Sequence, residues 1–288
     1  MRKLNKLLLA TLLVGGTFLT GCSSENKITV CASELPHAKI LNEAVAPILK
    51  EKGYELDVTV LDWTIQNLAV ANDEYDANYF QHIPYLDVNN FEGEQELVPA
   101  AKVHYEKLCL YASDKDENKK LDNGETIEIV NDDSNIERAL LFLESYNILT
   151  INDSCYDEKG AFTKFDTTNP NKCVTFLEGY ENCKLTCILE SNLCVSLEDY
   201  NFGVIPGNTA LTGLGDDYTS RIVLSEKATD ELISERANII AVKASNIHSA
   251  KTKALVEACS DERVATYVSK TFGESVLYHY ENLLLELA

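Results

Sequence analysis

Apolar residues recur at two spacings along this chain. Residues 27–32 form a short apolar run of strand type, and residues 38–50 carry apolar side chains at helical spacing before Gly53, a helix stop. Residues 56–61 alternate as a strand and 65–72 read as a helix. Residues 76–80 read as a strand, and Pro84 opens another helix, where a missing N–H costs nothing. Residues 98–112 are strand-rich. A charged, polar break at 114–124 is the expected lobe boundary. A strand over 126–130 and a helix over 135–145 follow, then an irregular excursion at 150–172 rich in Asn, Asp, Thr and Lys. Further strands are expected at 185–189, 202–205, 222–224 and 239–243, and helices at 249–259, 262–271 and 277–285. Repeated β-α-β succession predicts an α/β protein with largely parallel sheets, whose ligand sites lie beyond the carboxyl ends of strands.

The first residues have a different pattern. Arg2, Lys3 and Lys6 form a basic region ahead of an apolar run at 7–19, too short for a membrane span, which needs about 20 residues. The run ends in Leu19-Thr20-Gly21-Cys22, small residues then cysteine, the pattern of a bacterial lipoprotein signal. Residues 1–21 are expected to be removed and Cys22 to be lipidated, with 22–27 as a polar tether. More than one acyl chain gives stable anchoring. The body is then held at the cell membrane on its extracytoplasmic face.

Loss of residues 1–21 removes three cations and no anion, taking the net charge from −21 to −24. That excludes a nucleic-acid partner and electrostatic adhesion to an anionic lipid surface. Five of the nine cysteines (Cys155, Cys173, Cys183, Cys187 and Cys194) crowd into one segment. Export permits disulfides, but spacing alone does not choose among the pairings. That segment holds no C-x-x-C pair and no histidine, so no metal is expected there. Cys31 and Cys109 lie in apolar runs and read as buried thiols.

The densest chemistry lies in Asp76-Ala77-Asn78-Tyr79-Phe80-Gln81-His82-Ile83-Pro84-Tyr85-Leu86. Aromatics, amides and an imidazole together suit a ligand pocket; an amphipathic strand edge ahead of a helix-starting proline is the alternative. Ser134 and Glu137 have the spacing of a capping box, which places Arg138 near the first turn of a helix. A guanidinium there grips a carboxylate or is a surface arginine. Asn208, after Pro206-Gly207, accepts from a ligand ammonium or is a turn asparagine. Trp63, the only tryptophan, follows a strand. No nucleophile elbow, P-loop, dinucleotide fingerprint or H-E-x-x-H occurs, so neither a catalytic residue nor a cofactor is expected.

Taken in order, these blocks resemble the methionine-binding lipoproteins of bacterial ABC importers. The resemblance runs through Leu35-Pro36-His37-Ala38, 76–86, Lys102-Val103-His104 with Leu110-Tyr111, Asn131-Asp132 with Asn135 and Arg138-Ala139-Leu140, Gly207-Asn208 with Ala210-Leu211, and Ala237-Asn238-Ile239-Ile240. It implies two α/β lobes of the periplasmic-binding-protein type (type II-like) joined by two interlobe crossovers, with lobe 1 at 28–112 plus 220–288 and lobe 2 at 113–219. It implies Arg138 on an amino acid's carboxylate and Asn208 on its amine. Tyr79, Phe80 and His82 would line the side-chain slot, with Trp63 where the family has tyrosine and Asn135 in the carboxylate-binding turn. An ABC permease with its ATPase is the implied partner. Pro206, Thr209, Arg236 and Glu34 depart from the family pattern, and 150–184 is longer than expected. The same scaffold with another amino acid or a short peptide is therefore a second expectation. A surface thiol enzyme or adhesin built on the cysteines is a third.

Overall fold

The computed structural model describes residues 26–284 apart from 117 and 216; the expected signal sequence and Cys22 lie outside the described residues. Strands β1 (Lys27–Ala32), β2 (Glu55–Val60), β3 (Ala77–His82), β4 (Leu97–Glu106), β12 (Asn238–Lys243) and β13 (Val276–Asn282) make one sheet in the order β13-β4-β12-β3-β1-β2. A second sheet has the order β11-β5-β10-β6-β9, from β5 (Leu108–Ala112), β6 (Thr126–Val130), β9 (Lys184–Ile188), β10 (Phe202–Pro206) and β11 (Ile222–Ser225). β7 (Leu149–Ile151) and β8 (Val174–Phe176) pair as a small antiparallel ribbon.

Both sheets are mixed. β1 pairs parallel with β2 and β3, and β6 parallel with β9 and β10, whereas β5, β11, β12 and β13 run antiparallel to their neighbours. Helices cover the parallel part because only a crossover helix returns the chain to start a parallel strand. The period-2 pattern divides the first lobe's core: Ile28, Val30, Ile240 and Val242 pack on one face, and Cys31, Ile239 and Ala241 on the other. Each buried Val or Ile contributes about 1.5–3 kcal/mol. Among the described residues, no helix is long and apolar enough to cross a membrane.

The chain passes from the first sheet to the second at Lys107, between β4 and β5, and returns between β11 and β12. Two crossovers therefore join two α/β lobes. The sequence expectation set the boundaries elsewhere. Residues 108–112 and 222–225, assigned there to lobe 1, hydrogen-bond within the second sheet, and the polar break at 114–124 is a loop inside lobe 2. The tail is also corrected. Residues 276–282 form strand β13 rather than a helix, paired with β4, and the hydroxyls of Tyr278 and Tyr280 donate to the carbonyls of Cys259 and Val256. Alternation wins there because every second side chain finds the core.

Candidate functional site

The carboxyl end of β3, the first turns after it and the two crossovers converge on a cleft between the lobes. A cavity with an empty volume of about 560 Å³, open mouth included, is lined there by Trp63, Phe80, His82, Asn135, Arg138 and Asn208, all of them singled out in the sequence. Tyr79 is not among its lining residues. Successive side chains of a strand point to opposite faces, so Tyr79 cannot share a wall with Phe80. It is fully buried beneath the cleft, and its hydroxyl donates to His104 Nδ1.

Local structure sets each wall. Asp62 caps the helix Trp63–Ala71 by accepting from Thr64 N (2.9 Å), which fixes Trp63 in the first turn. Pro84 sits in the first turn of Ile83–Val88, and His82 caps that helix through Nδ1, which accepts from Tyr85 N (3.1 Å). Tyr85 then stands edge-on to Trp63, Phe80 and His82, with ring centroids 5.6, 5.7 and 6.5 Å away. The result is an aromatic slot of the kind that suits a flat or polarisable apolar group.

Asp132, not Ser134, caps the helix Asp133–Ser145. Its carboxylate accepts from Asn135 N (3.1 Å) and from the Ser134 hydroxyl (2.8 Å), a stronger acceptor than the serine expected to play that part. The helix begins one residue before Ser134, so Arg138 lies in its second turn. Arg138 is buried, and Glu226 holds it on two edges: Nε donates to Oε1 at 2.9 Å and Nη2 to Oε2 at 2.5 Å. Nη2 also donates to the Glu106 carbonyl (2.9 Å). Burial works against the guanidinium's charge, but the bonds and charge of Glu226 outweigh it and raise its pKa. Arg138 is thus a fixed cation, with Nη1 left for the cavity.

Glu106, at the end of β4, lines the same cavity beside Arg138. Its Oε2 accepts from Asn208 N (3.1 Å) and its Oε1 from His104 Nε2–H (2.7 Å). Gly207 makes this approach possible, because a Cβ there would meet the Lys107 carbonyl at 3.2 Å and Glu106 Cβ at 3.3 Å. Burial pushes the Glu106 carboxyl upward. Asn238, at the start of β12, also lines the cavity, and its Oδ1 accepts from His37 Nε2–H (2.9 Å). His82 Nε2–H donates to Asn135 Oδ1 (3.1 Å), so this bond and the Asn208–Glu106 bond span the cleft from lobe to lobe.

Glu106, Tyr85, Glu190, Asn238 and Glu226 were absent from the sequence-based site. Tyr85 lay within the quoted aromatic block and Asn238 within a quoted strand block, so a signal existed for both. Glu226 carried none, since its partner is 88 residues away. Of the departures from the family pattern, Pro206 lines this cavity, whereas Arg236 lies outside it and donates to the Ser134 carbonyl (3.2 Å).

Donor atoms of His37, His104 and Glu106 lie within 4.8 Å of one another, the one grouping among the described residues able to hold a metal. Hydrogen bonds to Asn238 and between His104 and Glu106 already occupy the two Nε2 atoms. Among the described residues the eight cysteines are free thiols. Burial pushes Cys155 up to about 11 and Cys187 and Cys194 to about 12, opposite to the shift that activates a thiol nucleophile.

The pattern of the NlpA lipoprotein family matches residues 28–279. The methionine-binding lipoprotein MetQ of Bacillus subtilis is 32% identical over 277 residues, covering 93% of this chain and 96% of that protein. A nutrient-binding protein from Burkholderia cenocepacia, solved bound to methionine, superposes with a TM-score of 0.74 at 25% identity, covering 87% of this chain and 99% of that one. A periplasmic substrate-binding protein of an ABC transporter from Coxiella burnetii shares the fold, with a TM-score of 0.71 at 23% identity over 88% of this chain and all of that one.

Proposed function

We propose, for a chain that belongs to the NlpA lipoprotein family, that it captures methionine or a closely related amino acid outside the cytoplasmic membrane and hands it to an ABC permease driven by a cytoplasmic ATPase. The observation that carries this reading is the pair of poles in one cavity. A guanidinium fixed by Glu226 shares the cavity with an acceptor group made of Glu106 and the Asn208 side chain, with an aromatic slot beside them. A zwitterion laid between the poles meets the Nη1 donors of a fixed cation at its carboxylate and acceptors at its ammonium. A thioether against Trp63, Phe80 and Tyr85 gains roughly 0.3–1.5 kcal/mol for each sulfur–ring contact. No bond need be made or broken. Ligand contacts with both lobes would stabilise the closed arrangement already bridged by His82–Asn135 and Asn208–Glu106. Lipidation at Cys22 would keep the protein beside its permease.

A melting panel over the amino acids and methionine dipeptides tests this. At a hundredfold excess over Kd, a ligand adds about 2.7 kcal/mol, or roughly 5 °C for a chain of this size. Methionine is expected to give such a shift. A shift with leucine or glutamine and none with methionine would reject methionine and leave another amino acid as the ligand.

A further inference from the structure

A second cavity, with an empty volume of about 850 Å³, adjoins the first toward the cleft mouth, and Leu35, Leu61, Thr209 and Thr212 contribute to its walls. The two cavities share Ser33, Trp63, Glu190 and Asn208, which therefore form a neck between them. A single amino acid held between Arg138 and Glu106 fills the inner cavity alone and leaves the outer one unused. The neck nevertheless carries a carboxyl group. Glu190 Oε1 accepts from the Thr209 hydroxyl (2.6 Å), and no cation pairs with it among the described residues. Burial pushes this carboxyl up to about 7, Thr209 opposes that rise, and Asp132, Glu106 and Asp62 add to it. Glu34, on the wall of the outer cavity, adds a further negative group to the same entrance. Both Thr209 and Glu34 are positions where the chain departs from its family's pattern.

We propose that this neck is a second ligand subsite, in which Glu190 receives an ammonium group standing beyond the α-amino-acid moiety held by the inner cavity. That ammonium is either the N-terminus of a dipeptide whose last residue sits at Arg138, or the side-chain ammonium of a basic amino acid. The subsite rests on the inner cavity binding an amino acid. A zwitterion between Arg138 and Glu106 adds no net charge, so Glu190 stays uncompensated until a cation reaches it. A charge-assisted hydrogen bond then forms where only a hydroxyl donates now. One further residue extends a ligand by about 3.3–3.6 Å toward a neck whose residues also line the inner cavity. Trp63, in the same neck, offers its ring to the cation.

Titration calorimetry on the wild-type chain and Glu190→Gln, with methionine, alanyl-methionine, N-acetylmethionine and lysine, decides the matter. The expected result is that alanyl-methionine or lysine binds the wild type, and that its affinity relative to methionine falls by about tenfold or more in Glu190→Gln. Which of the two ligands shows the effect identifies the source of the ammonium. N-Acetylmethionine, which lacks that group, is expected not to share it. A ratio unchanged in the variant for both alanyl-methionine and lysine overturns the subsite, and N-acetylmethionine equal to alanyl-methionine overturns the dipeptide as the source of the ammonium. Methionine binding with no binding of either cationic ligand overturns the subsite and leaves the inner-cavity reading standing. A wild type that binds none of the four ligands removes both.

Discussion

Arg138→Ala is expected to abolish the heat of methionine binding and to lower the stability of the ligand-free protein by about 3–5 kcal/mol. The two losses have different origins. Binding fails because the ligand carboxylate loses its only fixed cation in the cavity. Stability falls because Glu226, itself buried, is left charged without the guanidinium that spans both of its oxygens. Tyr105 and Leu108 N still donate to Glu226 Oε2, at 2.5 and 3.1 Å, so the carboxylate is not wholly abandoned. Two neutral donors do not replace a bidentate cation in a site where burial alone would raise the carboxyl's pKa and Arg138 holds it down. The double variant Arg138→Met with Glu226→Gln separates the effects. Gln keeps an acceptor for Tyr105 and Leu108 and removes the stranded charge, so urea unfolding should recover most of the lost stability while calorimetry still finds no binding. Retained methionine affinity in Arg138→Ala would place the carboxylate elsewhere. A stability loss under about 1 kcal/mol would mean that water reaches Glu226.

How much of this site could be read in the chain follows from the reach of its interactions. Local signals survived folding. The strands at 27–32 and 126–130, the helix opened by Pro84 and the capped helix carrying Arg138 all lie near their expected places, because caps, prolines and periodicity act within a few residues. Long-range pairings left no such trace. Arg138 was visible at its turn, but nothing near it announced Glu226, and Glu226 is what makes the arginine a rigid donor. Lys107 escaped notice as a crossover because it sits in a run of strand-forming residues that belong to two different sheets. The polar break at 114–124 looked like a boundary only because exposed loops and interlobe linkers share a composition.

Tyr79 shows a different failure. Strand parity would have placed it opposite Phe80, but treating the aromatic block as one surface overrode the period of two. Its actual place has its own logic. Tyr79 O–H donates to His104 Nδ1, and His104 Nε2–H donates to Glu106, so the buried tyrosine orients the carboxyl group that faces the cavity.

Stability is expected to fall slowly between pH 6.5 and 4.5, by no more than about 1.4 kcal/mol per pH unit, and then to collapse by about 4 kcal/mol per pH unit down to roughly pH 3.5. Three buried histidines drive the collapse. Burial lowers His37 to about 4, although Glu106 opposes it; burial lowers His104 to about 3; and burial, reinforced by Arg138 and Arg236, lowers His82 to about 3. Each imidazole is neutral with its proton on Nε2, donating to Asn238, Asn135 and Glu106 for His37, His82 and His104. The unfolded chain protonates these groups near pH 6.5, so their stabilisation is complete above that pH and is lost as pH falls through 6.5 toward 3–4. Three carboxyls oppose them first. Burial raises Glu128 and Glu190 to about 7 and raises Glu106, so the folded chain holds protons that the unfolded chain gives up above about pH 4.5. Glu128 and Glu190, each worth about 1.36 kcal/mol per pH unit at most, offset two of the three histidines, and Glu106 acts in the same direction, until the unfolded carboxyls also protonate. Below that point the raised carboxyls no longer differ between the two states, whereas the histidines still do, and carboxyls held low in the fold, such as Glu226 and Asp261, add to the loss. Urea unfolding at pH 7, 5.5, 4.5, 4 and 3.5 reads this profile directly, and Glu128→Gln, by removing one opposing group, should steepen the fall between pH 6.5 and 4.5 by about 1.4 kcal/mol per pH unit. A loss of about 4 kcal/mol per pH unit already from pH 6.5 in the unmodified chain would mean that these carboxyls ionise like exposed ones.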